Sequence, residues 1–189
     1  MKEKLRQLYP DSISVAGLLN AVTKGWVTIT DVIEIVGAEN ALDTMRKAKL
    51  AEISEACNRT IVNGIDVKLD SDNLHFNLSI EDQSNINNLF RVVELGGTEF
   101  PYQSDGGKCR VYKAAEIVQI YIAAQTLITT QTTYHNALKS YVQSLGDVES
   151  IVAVSYGDEL AEPYKTEMEQ KMKVAADQMA AIVKKLGGG

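Results

Sequence analysis

Ile65-Asp66-Val67-Lys68-Leu69-Asp70-Ser71-Asp72-Asn73-Leu74-His75-Phe76-Asn77-Leu78-Ser79-Ile80-Glu81-Asp82 passes through two structural periods without a break. Ile65 to Leu69 alternates apolar and polar side chains strictly, the pattern of a half-buried strand. Asp70-Ser71-Asp72-Asn73 is a polar turn. Leu74 to Leu78 alternates again, so the run folds back as a β-hairpin with Ile65, Val67, Leu69, Leu74, Phe76 and Leu78 on one face. Ser79 then caps a helix, and Glu81 and Asp82 place negative charge in its first turn, where the helix dipole favours it.

Downstream, that helix ends at Gly96-Gly97. Glu99 to Tyr102 is extended, Ser104-Asp105-Gly106-Gly107 is a tight turn, and Cys109 to Tyr112 is extended, which predicts a second small hairpin. The longest helical signal runs from about Lys113 to Leu145. Its apolar stripe is Ile117, Tyr121, Ala124, Ile128, Tyr134, Leu138, Tyr141 and Leu145. The patch Thr129-Thr130-Gln131-Thr132-Thr133 has poor helix propensity and is a place for a bend. Gly146-Asp147 is a break, and Val148 to Val154 is a short apolar piece of undetermined type.

Upstream, a helix is expected from about Ala38 to Val62, with Leu42, Met45, Leu50, Ile53 and Cys57 as its apolar positions. Asn63-Gly64 closes it, since both residues tolerate a left-handed backbone. Before it, Ser14 to Val22 carries Val15, Leu18, Leu19 and Val22 at helical spacing. Thr30-Asp31 offers an N-cap for a helix with Val32, Ile33, Ile35 and Val36, ended by Gly37. The fold class is α+β and mainly helical: small β-hairpins packed on a long helix, with helical arms at both ends. The expected divisions are 1–49, 50–146 and 147–189.

Composition bounds the function. The chain has 189 residues, 45% apolar and 23% charged, which is the make-up of a globular protein. Its net charge of −6, from 19 basic and 25 acidic side chains, argues against a general nucleic-acid binder and against a polybasic membrane-surface protein. Acids concentrate between Ile65 and Leu95, where Asp66, Asp70, Asp72, Glu81, Asp82 and Glu94 face only Lys68 and Arg91. That makes the hairpin region a solvated or basic-partner-facing surface. No apolar run is long enough for a membrane span. The charged start from Met1 to Gln7 lacks a signal peptide's apolar region, and two cysteines fit a reducing compartment, so an intracellular product is expected.

Candidate chemistry is sparse. Cys57, Cys109, His75 and His135 are arithmetically a zinc set, but none is paired at the close spacing zinc ligands use. Asp70, Asp72 and Glu81 mimic a calcium loop whose centre is occupied by Leu74 and His75. No phosphate-binding glycine loop or nucleophile elbow is present. Neither metal nor cofactor is expected. A Cys109–His135 nucleophile pair is the one enzymatic alternative.

The last helix, Pro163 to Leu186, has a different rhythm. Met168, Ala175 and Ile182 recur every seven residues, as do Met172, Met179 and Leu186. That is a short a/d seam, and methionine makes it soft and adaptable. Two readings stand: an interaction helix with these six residues as its partner surface, or a final helix packed on its own domain.

Four blocks in the middle of the chain resemble a phage tail domain family of unassigned biochemical role, found in tail, tail-fibre and fibre-assembly proteins. They are Ile53-Ser54-Glu55-Ala56-Cys57-Asn58 with Asn63-Gly64-Ile65-Asp66-Val67; His75-Phe76-Asn77-Leu78-Ser79-Ile80-Glu81-Asp82-Gln83-Ser84-Asn85; Pro101 to Tyr112, with Ser104-Asp105-Gly106-Gly107-Lys108-Cys109-Arg110 at its centre; and Thr133-Tyr134-His135-Asn136-Ala137-Leu138. Their order and spacing are similar to the family's over about Leu50 to Leu145. Gln103 stands where the family often has His, and His135 where it often has Cys. Lys24-Gly25-Trp26-Val27-Thr28 before a helix is similar to short XkdX-like tail proteins of defective prophages.

The resemblance implies a structural, non-catalytic component of a bacteriophage or phage-derived tail, at the baseplate or fibre attachment, made in the host cytoplasm and carried in the virion tail. It would act in several copies through contacts with other tail proteins, without nucleic acid or membrane. A tail-fibre assembly chaperone, absent from the finished particle, is the first alternative. A small cytoplasmic enzyme or regulator is the second. In the motif blocks the residues read as structural: Phe76 and Tyr112 face the core, Asp105 and Gly106 build a turn, and Arg110 is expected to reach Asp105 or Glu81.

Overall fold

The computed structural model describes residues 1–70 and 72–187, and the side chains up to residue 184. Eight helices and four strands follow in the order α1 (Lys2–Leu8), α2 (Val15–Thr23), α3 (Ile29–Val36), α4 (Ala38–Val62), β1 (Ile65–Leu69), β2 (Asp72–Phe76), α5 (Ile80–Glu94), β3 (Glu99–Tyr102), β4 (Arg110–Lys113), α6 (Ala114–Ser144), α7 (Val148–Ala153) and α8 (Tyr164–Gly187) among the described residues. The class is α+β, mainly helical, with two small antiparallel hairpins, β1–β2 and β3–β4. Among the described residues no helix is long and apolar enough to cross a membrane.

The chain forms two compact units, each from two stretches. The first unit is Met1–Ala56 with His135–Lys165; the second is Cys57–Tyr134 with the chain from Thr166 onward. The divisions therefore fall inside α4, α6 and α8.

In the first unit, Leu18, Met45, Ile53, Val142 and Ile151 are fully buried. Lys2 on α1 reaches α3 twice, with its Nζ 3.0 Å from Asp31 and 2.6 Å from Glu34. The α3 cap sits two residues before the expected Thr30. Thr28 is the N-cap: the Asp31 N–H donates to Thr28 Oγ1 at 3.1 Å, and the Thr28 N–H donates to Asp31 Oδ2 at 3.0 Å. A capping box needs its acid three residues after the hydroxyl, which Thr28 and Asp31 satisfy and Thr30 does not. Those bonds, first from the Thr28 N–H and then from Lys2, hold the Asp31 carboxyl down to about 2.

Two basic residues of α4 cap other helices in the same unit. Arg46 donates to the carbonyl of Leu145, just past α6, at 2.7 Å. Lys49 donates to the carbonyl of Val154, the C-cap of α7, at 2.9 Å, and meets Glu52 at 3.0 Å. Helix C-termini leave carbonyls unsatisfied and carry partial negative charge, so a cation there is favoured twice over. Lys49 is 5% exposed; its ammonium is tolerated in the interior because it meets both a carbonyl and a carboxylate.

In the second unit, β1 and β2 pair in the register Ile65↔Phe76, Val67↔Leu74, Leu69↔Asp72. Asp72 and Asn73, expected in the turn, thus belong to β2. Asp70 takes φ 51°, the left-handed conformation that a short polar side chain accepts. Ile65, Val67, Leu69, Phe76 and Leu78 are buried as expected, while Leu74, near the hairpin tip, is half-exposed. Ser79 caps α5 through a full capping box with Asp82. The second hairpin pairs Phe100↔Tyr112 and Pro101↔Val111, so its return strand starts at Arg110 rather than at Cys109. α6 stays helical through the threonine patch, where Thr132 Oγ1 donates to the Ile128 carbonyl at 2.7 Å. The undetermined piece after Gly146 is the helix α7, capped by Asp147.

Gly64 joins α4 to the first hairpin at φ 85°, and a Cβ on it would lie 2.1 Å from the Phe76 carbonyl oxygen. Gly64→Ala must both strain the backbone and push a strand away. It should lower unfolding stability by at least about 2 kcal/mol in urea melts. Gly146→Ala, at a site with no neighbour within 4 Å, should stay within about 0.5 kcal/mol of the parent.

Candidate functional site

Three aromatic rings join the two hairpins. Phe76 of β2 stacks parallel to Tyr102 of β3 at a centroid distance of 6.2 Å and meets Tyr112 of β4 edge-on at 6.2 Å. Phe76 and Tyr112 are buried, as the sequence leads one to expect. The backbone adds a tie: the Asp105 N–H donates to the His75 carbonyl at 2.8 Å. Behind the rings, Phe90 of α5 stacks on Tyr121 of α6 at 3.7 Å, and Gln125 of α6 donates to Asn87 of α5.

Beside these rings lies a polar cleft of about 140 Å3. One wall comes from the end of β2 and the start of α5, with Phe76, Asn77, Asp82 and Asn85. The other is Tyr102, Gln103, Ser104 and Asp105, at the end of β3. Two stretches some twenty residues apart in the chain thus share one small concavity. Burial pushes the Tyr102 phenol up, and the nearby Asp82 carboxylate adds to the shift. Ser104, read from the sequence only as a turn residue, is buried here, and burial of a turn serine has no local signature.

Arg110 does not reach Asp105 or Glu81. Its guanidinium lies over the Tyr112 ring at 4.2 Å and donates to Glu116 at 2.9 Å. Glu116 also accepts the Lys113 N–H at 2.8 Å, which fixes it at the start of α6. The partner lies six residues along the chain, in the first turn of α6.

A family model described as a domain of unknown function, DUF4376, matches residues 44–158. The chain belongs to that family. The DUF4376 segment contains both hairpins, the aromatic cluster and the cleft; α8 lies outside it. No curated protein and no solved structure matches the chain.

A second concavity lies between α6 and α8, a groove of about 330 Å3. Thr126, Thr129 and Thr130 line it from α6, and Met172, Ala175 and Met179 from α8. Three of the six seam residues are therefore brought to the groove. Met168 and Ile182 are half-buried on the same stripe without lining it. The side chain of Leu186 lies outside the described residues. Ala176, Ala180 and Val183 also line the groove and widen the apolar face beyond the heptad seam.

The titratable candidates are placed singly. Cys57 is buried and Cys109 exposed. Cys57 Sγ donates to the Gln131 carbonyl at 3.5 Å. His75 Nδ1 is 2.8 Å from Asp66 Oδ1, its directly opposite partner in the hairpin. His135 Nε2 is 3.0 Å from Ser54 Oγ. Ser54 lies within α4, where the surrounding N–H groups are engaged in helix bonds and none is left to stabilise an oxyanion. Among the described residues no group of three or more His, Cys, Asp or Glu is placed to hold a metal ion.

The two histidines shift in opposite directions. The hydrogen bond to Asp66 raises His75 above 6.5, whereas burial, aided by Lys139, lowers His135 below it. In the window just above pH 6.5 the folded state binds more protons at His75 than the unfolded chain does. The His75 contribution is thus complete below pH 6.5 and lost as pH rises through the folded value. His135 works the other way, costing stability as pH falls below 6.5. Proton NMR titration of the imidazoles should give two midpoints on opposite sides of 6.5. Asp66→Asn should bring the His75 midpoint down while leaving His135 in place.

Proposed function

We propose that this protein is a structural, non-catalytic component of a bacteriophage or phage-derived tail, at the baseplate or the attachment of a tail fibre. It works through protein–protein contacts in a multi-copy assembly, is made in the bacterial host cytoplasm, and resides in the virion tail. The tail assignment is supported by the four motif blocks, in order and spacing, from Ile53 to Leu138. The contact mechanism is carried by one observation. α8 buries none of its described side chains fully, yet Met168, Met172, Ala175, Met179 and Ile182 form an apolar stripe along it, opening a groove against α6. Apolar surface of this kind is stabilised by being covered, and a heptad-spaced stripe suits a helix of a neighbouring tail protein.

Mass spectrometry of washed particles should detect the chain at a fixed ratio to tail proteins. Absence from particles that still need the gene for fibre attachment would instead assign an assembly chaperone. The double substitution Met172→Glu with Met179→Glu puts two charges into the groove. It should cut incorporation into particles at least tenfold, on the order of 1.4 kcal/mol or more, with the helical circular dichroism of the free protein retained. Normal incorporation would remove α8 from the contact surface.

A further inference from the structure

Tyr102 stands between two depressions of the second unit, and it and Asn85 line both. One is the polar cleft. The other is a shallow trough of about 360 Å3 formed with Leu89, Val92 and Pro101. Their chemistry differs. The cleft presents the carboxylates of Asp82 and Asp105, and no basic side chain lines it. Asp82 uses Oδ2 to accept the Ser79 N–H, which holds the carboxylate in place with Oδ1 left over.

Ser104 supplies an independent sign of a ligand. It lines the cleft and is only 8% exposed, yet its hydroxyl has no hydrogen-bond partner within the chain among the described residues. Nor is its oxygen among the sealed, unsatisfied side-chain atoms of the described residues, which are Arg46 Nε and Arg110 Nε. The hydroxyl is thus reached from the cleft and is free to accept from a donor that enters there. The cleft therefore offers acceptors, two negative charges and an aromatic wall. A group that brings several N–H donors, a positive charge and a flat face matches all three, and among protein side chains that is a guanidinium.

We propose that the cleft and trough together dock an arginine of a partner protein, with the guanidinium among Asp82, Ser104 and Asp105 and an apolar neighbour of that arginine against Val92 and Pro101. Val92 is 48% exposed, so the trough wall is available for such a contact. The inference rests on the reading of the protein as one that acts by protein–protein contacts and adds a second contact surface, chemically unlike the methionine groove of α8.

The full-length, 15N-labelled protein would be titrated with acetyl-Leu-Arg-Leu-amide, leucine being placed on both sides because the direction of the partner chain is open. Backbone shifts should be confined to residues 77–85 and 89–105. The citrulline peptide, isosteric but neutral, should bind about tenfold more weakly, as loss of charge-assisted hydrogen bonds predicts. Asp105→Asn and Ser104→Ala should each weaken the arginine peptide about three- to tenfold. Val92→Ser should weaken it about threefold and leave acetyl-Arg-amide unaffected.

Equal binding of the citrulline peptide would overturn the proposal, and so would a lysine peptide that binds as tightly as the arginine one. Tighter occupation of the cleft by calcium chloride or methyl α-glucoside would reassign it to a cation or a saccharide. Absence of any shift at millimolar peptide would also reject it. The assay needs no tail particle, so its failure leaves the tail assignment standing, and failure of the tail assignment leaves this result standing.

Discussion

Phe76 ties the end of α4 and both hairpins of the second unit together. Its carbonyl occupies the space beside Gly64 that a Cβ would need, so the end of α4 and the end of β2 can approach only because residue 64 is glycine. Its ring lies against Tyr102 and Tyr112 of the other hairpin. A two-stranded hairpin alone is marginal in water, because one face of the ribbon cannot bury enough apolar surface. Here each hairpin supplies the other's missing face. The polar cleft is a by-product of that contact, since the residues following Phe76 and those following Tyr102 are left facing each other at its rim.

The first unit solves a different problem. α6 and α7 end beside α4, and the carbonyl at the α7 C-cap, Val154, is buried. Arg46 and Lys49, three residues apart on one face of α4, reach those ends at 2.7 and 2.9 Å. Sequence inspection passes over both, because basic residues in a helix ordinarily face solvent. Their role becomes visible only when helix ends distant in the chain are brought beside α4.

Two of the concavities of the second unit differ in contact chemistry. The groove of α6 and α8 is apolar and lined by flexible methionines and small residues, a surface that adapts to a partner helix. The cleft is small, acidic and walled by a stacked ring, a surface that selects by charge and shape. A component working in a multi-copy assembly has use for both, one to supply area and the other to set register.

The sequence by itself determined the elements. Period-two alternation placed β1, the Ser79–Asp82 spacing placed the start of α5, Gly37 marked the end of α3 and Gly64 the end of α4, because these signals act within a few residues. It missed where local rules compete: Thr28 over Thr30 as the α3 cap, and Asp72 and Asn73 in β2 where a polar run suggested a turn. The half of the candidate site with a motif, Asp82 and Asp105, was in view from the start. Ser104 was in view only as a turn residue, since burial and the absence of a partner are properties of surroundings. Only the tertiary structure decided which stretches share a compact unit, which carbonyls Arg46 and Lys49 reach, and that residues near 80 and near 104 face one cleft. Those are contacts between positions far apart in the chain, and no local pattern encodes them.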